Sequence, residues 1–424
     1  MAFNILIEPN VLKNNPIYSK SWIKSLLLPR NGLAAFSGIL FIIYTIIPTS
    51  LYVFFDSEVV FIKLAVITCI SIASMWIGSF IPLVDFQFKP TAFRLKINVN
   101  WFHFVVWTIF LIFVVITFAT APSIPIISSL QGASADELSQ ERGDFLKGRV
   151  GAEIILLYMS TIFTNTVIPY SIILMYSNKS KYRHLFASLF FIFCISFLVK
   201  ALFLNLILPL LAYLAIVNKL NKKIIIIGGL GSVFLLIFST VLSLDESHDS
   251  GGAASISAVE YMSAGYVPTS SLDYFAWRAF AVPIYTASDT LLVHEQQFRE
   301  QPLMGATSNL LSTLFGLDRI NLERFVFEHQ FGSWNETANA NAVFVVDAYA
   351  NFGYLGVIIF GLFVGQIFRW FRLSSDIGFK SLWPLFAFVL FNASLIGMLL
   401  SNGFAYMLLH SLFFSITSDG KSYD

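Results

Sequence analysis

The segment NANAVFVVDAYANFGYLGVIIF, residues 339–360, places polar side chains before and within the first turns of an apolar helix. Asn339 and Asn341 can cap that helix or bind the hydroxyl groups of a substrate, and the free N–H groups at its beginning favour an anion. Asp347 lies in the first turns, where a carboxylate suits the helix dipole and can accept a proton from a hydroxyl group. We therefore predict a catalytic role for Asp347 and substrate-binding roles for Asn339, Asn341 and Tyr349.

Two glycines, Gly353 and Gly356, follow this cluster in the same apolar run. Residues without a side chain permit the close approach of another helix or of lipid. Capping and small-residue packing would explain the glycines, but not the clustering of asparagine, aspartate and tyrosine.

Three arginines and one lysine lie in apolar or membrane-proximal settings, where a cation is costly unless it is paired or used. Arg278 lies in the aromatic stretch SLDYFAWRAFAVP, and we predict a catalytic role for it. Arg142 and Arg149 are seven residues apart, so on a helix they share a face and could clamp a phosphate group. The alternative for Arg149 is a local ion pair with Glu153. Lys200 interrupts a long apolar run, where it binds substrate or extends its ammonium group to the membrane surface.

Two further residues, Glu295 and His329, are candidates for accepting a proton during catalysis, although each alone is more often a structural polar group. The chain contains no Walker-type phosphate loop and no HExxH, CxxC or GxSxG motif. Its six histidines are scattered along the sequence. We therefore expect neither a metal site nor a cofactor.

The composition indicates the class of protein that carries these residues. Hydrophobic residues make up 57% of the 424 positions and charged residues only 12%, about half the charged fraction of a soluble domain. The net charge of +1 gives no reason to expect a nucleic-acid partner. Cys69 and Cys194 both lie in apolar runs, so no disulfide framework is expected. The N-terminal segment lacks the pattern of a removable signal peptide.

Apolar runs of about 20 residues recur along the chain, as membrane-crossing helices require. We predict an all-α polytopic membrane protein, a single membrane domain over residues 1–424 with about ten transmembrane helices. Basic residues are concentrated in every second connection, which places these connections and both termini in the cytoplasm. The predicted spans are 33–55, 61–83, 101–121, 153–176, 185–199, 201–217, 223–243, 344–370, 381–400 and 402–417.

One apolar run, residues 185–218, could form either one helix or two. A single helix of that length would rise about 50 Å, well beyond a membrane core of about 30 Å. It would also move the next basic cluster, Lys219 to Lys223, to the outside. Two short helices that turn near Lys200 preserve the charge pattern, so we predict a hairpin over 185–217.

The predicted topology leaves two long segments outside, 122–150 and 244–343. The second, here called the large loop, is too long for a plain connection between spans seven and eight. We expect it to contain short helices of its own and to carry function.

The segment TANANAVFVVDAYANFGYLGVIIF, following a large loop that contains WRAFAVP, resembles the Wzy-type oligosaccharide repeat-unit polymerases of bacterial O-antigen and capsule pathways. The resemblance implies a multi-pass protein of the bacterial inner membrane with its active site facing the periplasm. It implies transfer of a growing glycan from undecaprenyl pyrophosphate to an incoming lipid-linked repeat unit. A chain-length-regulating co-polymerase is the implied partner, besides membrane lipids. Family members often have arginine where this chain has Lys200.

The chemistry expected from the residues agrees with such a reaction, because fixed Arg and Lys side chains can stabilise a departing pyrophosphate without a metal. Two alternatives remain. An O-antigen ligase would transfer glycan to lipid A core, but ligases usually show a histidine in the motif where this chain reads TANANAVF, and the closest histidine is His329. A transporter of lipid-linked oligosaccharides would place its ionisable residues near the midplane of repeated halves, and this chain shows no internal repeat.

Overall fold

The computed structural model describes residues 22–55, 57–82, 94–149, 151–199, 202–241, 257–333, 340–418 and 421–422. Within these ranges, five helices are long and apolar enough to cross a membrane, so the chain is a helical membrane protein. They correspond to the predicted spans 33–55, 61–83, 101–121, 153–176 and 344–370. The five helices are Pro29–Phe55, Val60–Phe80, Val99–Thr120, Ile154–Ser177 and Phe344–Leu373.

The apolar run around Lys200 is divided into two short helices, Arg183–Ser196 and Leu204–Ile216. The first ends before Leu198, whose left-handed backbone (φ 52°) stops the helix. Lys200 itself lies outside the described residues. A further apolar helix, Lys222–Val241, occupies the predicted span 223–243.

The last two predicted spans, 381–400 and 402–417, are not continuous helices. Where 381–400 was expected, Ile377–Ser381, Trp383–Leu390 and Leu395–Leu400 follow one another. The Ser394 hydroxyl accepts a hydrogen bond from the backbone N–H of Gly397 at 3.1 Å, so a new helix begins there. Helix Phe404–Phe413 is too short to span a membrane. The apolar pattern predicted the length of these two segments but not the breaks between their helices.

A small sheet lies at one end of the helices, which a purely helical prediction did not include. Strand Phe414–Ser418 pairs in parallel with Leu95–Asn98 and antiparallel with Lys421–Ser422. The β-branched pair Ile416 and Thr417 favours an extended backbone at a point where apolar periodicity still resembled a helix. The sheet joins the segment after the second predicted span to the C-terminal segment.

Short helices account for most of the described remainder. The large loop contains Ala258–Tyr261, Ser271–Ala276, Val282–Phe298, Asn309–Phe315 and Leu322–Phe331. We call Val282–Phe298 the loop helix. The segment 122–150 contains Pro125–Leu130 and Ala135–Arg142, and Trp22–Leu26 precedes the first span. π-helical turns lie at Ile42–Ile46, Gly143–Lys147, Phe163–Val167 and Trp277–Ala281, and 3₁₀ turns at Pro29–Asn31 and Gly151–Glu153.

Helix Phe344–Leu373, here called the kinked helix, packs along Val60–Phe80 through small residues. A Cβ on Gly361 would lie 2.7 Å from Ser74 Cβ, and a Cβ on Gly365 would lie closer still to the backbone oxygen of Met75. Gly78 contributes the same close approach from the other helix, against Leu362. Small residues let two backbones approach closely, which is how helices associate where lipid replaces water.

The kink lies at Gly353, whose φ of 61° and ψ of −153° interrupt the helix. This backbone conformation is essentially restricted to glycine. Among the described residues, no atom would lie within 4 Å of a Cβ on Gly353, so no described helix approaches it closely, and the approach of lipid at this position stays a prediction. Gly356 is needed for space instead, because its Cβ would lie 2.6 Å from Phe352 Cβ.

Candidate functional site

Asp347 lies in the buried first part of the kinked helix and is held by neutral hydrogen-bond donors. The Thr307 hydroxyl and the Asn351 side-chain amide both donate to Asp347 Oδ1, each at 3.1 Å. Asn351 also donates to Thr307 Oγ1 at 2.8 Å. These bonds fix the orientation of the carboxyl group through neutral donors, which suits a group that must accept a proton.

The kink is what brings Thr307 to this position. The N–H groups of Leu303 and Met304 donate to the carbonyls of Ala350 and Asn351 at 3.0 and 2.8 Å, just before Gly353. The Gly305 N–H donates to Asn351 Oδ1 at 3.0 Å. Carbonyls at the end of a helical segment need donors, and here the large loop supplies them.

A cavity of about 60 Å³ lies beside Asp347. Its polar lining contains a second carboxylate, a cation and three residues that carry hydroxyl groups. The polar lining residues are Thr290, Thr307, Arg319, Asn321, Glu323, Asp347 and Ser394. A space of this size takes a few waters or a hydroxyl group of a ligand, and Arg319 is the cationic residue of its lining.

Lys63, which the sequence analysis did not single out, is the centre of a second cluster of charged and aromatic residues beside the kinked helix. Its ammonium group forms an ion pair with Glu300, lies 3.6 Å from Glu295 Oε2, and lies 5.2 Å from the centre of the Tyr349 ring. The Lys63 ammonium lowers the pKa of the Glu300 carboxyl. A lysine within an apolar span indicates a functional residue. This criterion was applied to Lys200 but not to Lys63, which is the fourth residue of helix Val60–Phe80.

Of the predicted residues, Glu295 and Tyr349 are therefore brought together around Lys63. Tyr349 lies two residues after Asp347, on a different face of the helix, and packs edge-on against His294. Burial lowers the pKa of His294, whose Nε2 lies 2.9 Å from the Gln301 carbonyl and must donate to it. Glu295 is exposed on the loop helix, beside the cation.

His329 lies in a different groove, of about 380 Å³, between the loop helix and the beginning of Val60–Phe80. Asp289, Glu58 and Tyr285 line the same groove. Gln330 Nε2 donates to Asp289 Oδ2 at 2.7 Å, and burial raises the pKa of Asp289. The structure thus separates the predicted proton acceptor His329 from the cavity at Asp347.

The hydrogen-bond donors of Arg149 are used within the protein. Its Nε donates to the Phe145 carbonyl at 2.8 Å, and its terminal nitrogens donate to the Thr117 carbonyl, the Thr120 hydroxyl and the Glu153 carboxylate. Only 6% of the residue is exposed. This geometry favours the local ion pair over a phosphate clamp.

Arg142 and Arg278 lie near the aromatic residues Tyr274 and Tyr285 of the large loop. Arg278 is exposed in the π-helical turn Trp277–Ala281, and its charge opposes the rise that burial causes in the pKa of Tyr285. Arg142 is half-buried, and its Nε donates to the Leu138 carbonyl at 3.0 Å. Tyr274 opposes the fall that burial causes in the pKa of Arg142. It also contributes to the raised pKa of Tyr285.

Asn341 does not cap the kinked helix. Its N-cap residue is Val343, without a side-chain capping bond from the described chain, and Asn341 is exposed two residues earlier. Asn339, like Lys200, lies outside the described residues. The sequence analysis also missed Thr307 and Asn351, because nothing local indicates that residues 44 positions apart share a carboxyl group.

No family model, no curated protein and no solved structure matches this chain, so its likeness to the oligosaccharide polymerases stays a prediction from the sequence.

Proposed function

We propose that the chain is a metal-independent glycosyltransferase that polymerises lipid-linked oligosaccharide repeat units at the periplasmic face of a bacterial inner membrane. The observation that carries the proposal is the Asp347 carboxyl group, oriented by Thr307 and Asn351 in a polar cavity at one end of a membrane helix. Such a position serves a substrate whose lipid stays in the membrane and whose sugars lie outside it.

In the proposed reaction, a hydroxyl of the incoming repeat unit attacks the anomeric carbon of the growing glycan. Asp347 accepts the hydroxyl proton as the new glycosidic bond forms. The bond between the anomeric carbon and the undecaprenyl pyrophosphate oxygen breaks, and its electron pair leaves with the pyrophosphate. Arg319, which lines the cavity, stabilises that charge.

The test uses the full chain in lipid vesicles with a synthetic undecaprenyl-pyrophosphate repeat unit, in the presence of EDTA. The wild type should form a ladder of products on a gel, and Asp347→Asn should lose it by a factor of at least about 10², the usual worth of a positioned general base. The exposed Asp318→Asn serves as the matched control and should retain the ladder. Transfer only after addition of lipid A core would indicate a ligase, and no transfer to either acceptor would reject the glycosyltransferase.

A transporter of lipid-linked oligosaccharides is the second candidate, and one structural observation favours it. The kinked helix and the break between Trp383–Leu390 and Leu395–Leu400 both reach the cavity, through Asp347 and Ser394. Interrupted helices that meet at a polar site are typical of transporters. Movement of the lipid-linked substrate across the vesicle membrane, without any ladder, would support this candidate.

A further inference from the structure

The segment from Met304 to Leu317 exposes apolar side chains on the surface of the large loop. Its sequence, MGATSNLLSTLFGL, contains no charged residue, and charges resume only at Asp318 and Arg319. Leu314 is 70% exposed, and other large apolar side chains of the segment are also exposed. We call this set the Leu314 patch: Met304, Leu310, Leu314, Phe315 and Leu317. A concentration of this kind marks a surface that is covered by something other than water.

The side chain of Leu311 holds the short helix Asn309–Phe315 onto the loop, so that the patch faces away from the protein. Gly305, with a φ of 90°, lies directly against Leu311, where a Cβ would come within 2.8 Å. Ser312 is buried on the same inner side. Leu310 and Leu314, four residues apart, are left on the outer face.

The backbone bonds of Leu303 and Met304 determine the height of the patch relative to the membrane. They attach the segment to Ala350 and Asn351 of the kinked helix. Immediately after the kink, that helix exposes Leu355, at 64%, and the neighbouring Tyr354 and Ile359.

Arg369 marks the other end of the same helix. The stretch from Ala350 to Arg369 rises roughly 28 Å, at about 1.5 Å per residue. A membrane core is about 30 Å thick. The core boundary therefore falls close to Ala350, which is the level at which Met304 is attached.

We propose that the Leu314 patch docks on the lipid surface, with Leu310, Leu314 and Phe315 inserted at the boundary between headgroups and acyl chains. The patch continues the apolar surface that the kinked helix presents to lipid, and its lack of charge suits that depth. Docking ties the loop that carries Thr307 to the membrane and so steadies the cavity at Asp347. The docking is independent of the reaction that the cavity performs.

The experiment places a fluorescent bimane label on Leu314→Cys in the full chain, in a Cys69→Ser background that leaves the buried Cys194. The protein is reconstituted in vesicles of phosphatidylethanolamine and phosphatidylglycerol, with or without nitroxide groups near the top of the acyl chains. Leu355→Cys on the kinked helix is the lipid-facing reference, and Glu328→Cys, exposed on helix Leu322–Phe331, is the water-facing reference.

We expect the Leu314 label to be quenched by lipid nitroxide as strongly as the Leu355 label, and to be protected from iodide in the water. A label on Phe315→Cys should behave in the same way and guards against an effect of one substitution. Quenching by iodide as strong as at Glu328 would overturn the proposal. Protection from iodide without quenching by lipid would also overturn it, because a second copy or another protein would then cover the patch.

Discussion

A charged side chain in an apolar setting can either bind a substrate or stabilise the fold, and Arg149 belongs to the second kind. Arg149 has four of its hydrogen bonds inside the protein, two of them to the carbonyls of Phe145 and Thr117. We predict that Arg149→Lys, which keeps the charge but loses the fork of donors, lowers the free energy of unfolding by about 2 kcal/mol. Thermal unfolding in detergent measures this loss.

The matched control for Arg149 is Arg142→Lys, at the half-buried arginine of the same segment. It should shift the unfolding temperature less, since fewer buried groups are left without a donor. If Arg149→Lys instead unfolds like the wild type and only weakens the binding of a phosphate-bearing lipid, Arg149 serves the substrate and does not stabilise the fold.

Asp289 provides a test by pH. Burial raises its pKa in the folded protein, so protonation contributes stability that is fully present below the ordinary carboxylate pKa of about 4. That contribution is lost as the pH rises through the higher folded-state pKa. Asp289→Asn, which can still accept from Gln330, should therefore unfold at a higher temperature than the wild type at pH 7.

The difference between Asp289→Asn and the wild type should shrink as the pH is lowered towards 4. Thermal unfolding curves at pH 7 and at pH 4 measure this difference. The exposed Asp318→Asn is the control and should unfold like the wild type at both pH values. A stabilisation of Asp289→Asn that is equal at both pH values would show that charge burial is not its cause.

At the scale of elements, the kinked helix depends on one backbone conformation. Gly353→Ala forces a Cβ into a region that only glycine occupies comfortably, although the surrounding space is open. We predict a loss of about 1–3 kcal/mol in the free energy of unfolding, with loss of the product ladder because Thr307 no longer meets Asp347. Thermal unfolding and the vesicle assay measure the two effects.

Gly231→Ala is the matched control, since Gly231 lies within helix Lys222–Val241 and a Cβ there also meets open space among the described residues. Alanine at an ordinary helical position should leave stability unchanged or slightly improved. Equal behaviour of the two variants would mean that the kink is not required.

The same element shows why some features were predictable from the sequence and others were not. Five of the ten predicted spans correspond to helices long enough to cross a membrane, because the transfer of apolar side chains into lipid adds up along a contiguous run. Asp347 was predicted because its type and its place in the helix are both local. The kink was missed because it depends on Gly353 and on N–H groups of Leu303 and Met304, which lie almost 50 residues earlier.

The large loop contacts the membrane helices at several points, and Lys63 makes one of these contacts. Its partners Glu295 and Glu300 lie more than 230 residues away in the chain, so no local pattern could have paired them. Because both carboxylates are about half exposed, the link is worth at most about 1 kcal/mol. It holds the end of the loop helix next to Tyr349 rather than stabilising the fold.

We therefore predict that Lys63→Met, which keeps an apolar stem, leaves the unfolding temperature nearly unchanged but loosens residues 295–305. Amide hydrogen exchange of that segment should become faster by roughly fivefold, the equivalent of about 1 kcal/mol, while exchange in the rest of the loop helix stays slow. Lys222→Met, at an exposed lysine of another helix, is the control and should change neither. Unchanged exchange in 295–305 would mean that the backbone bonds of Leu303 and Met304 alone hold the loop on the membrane helices, and that Lys63 is free to serve a bound anion.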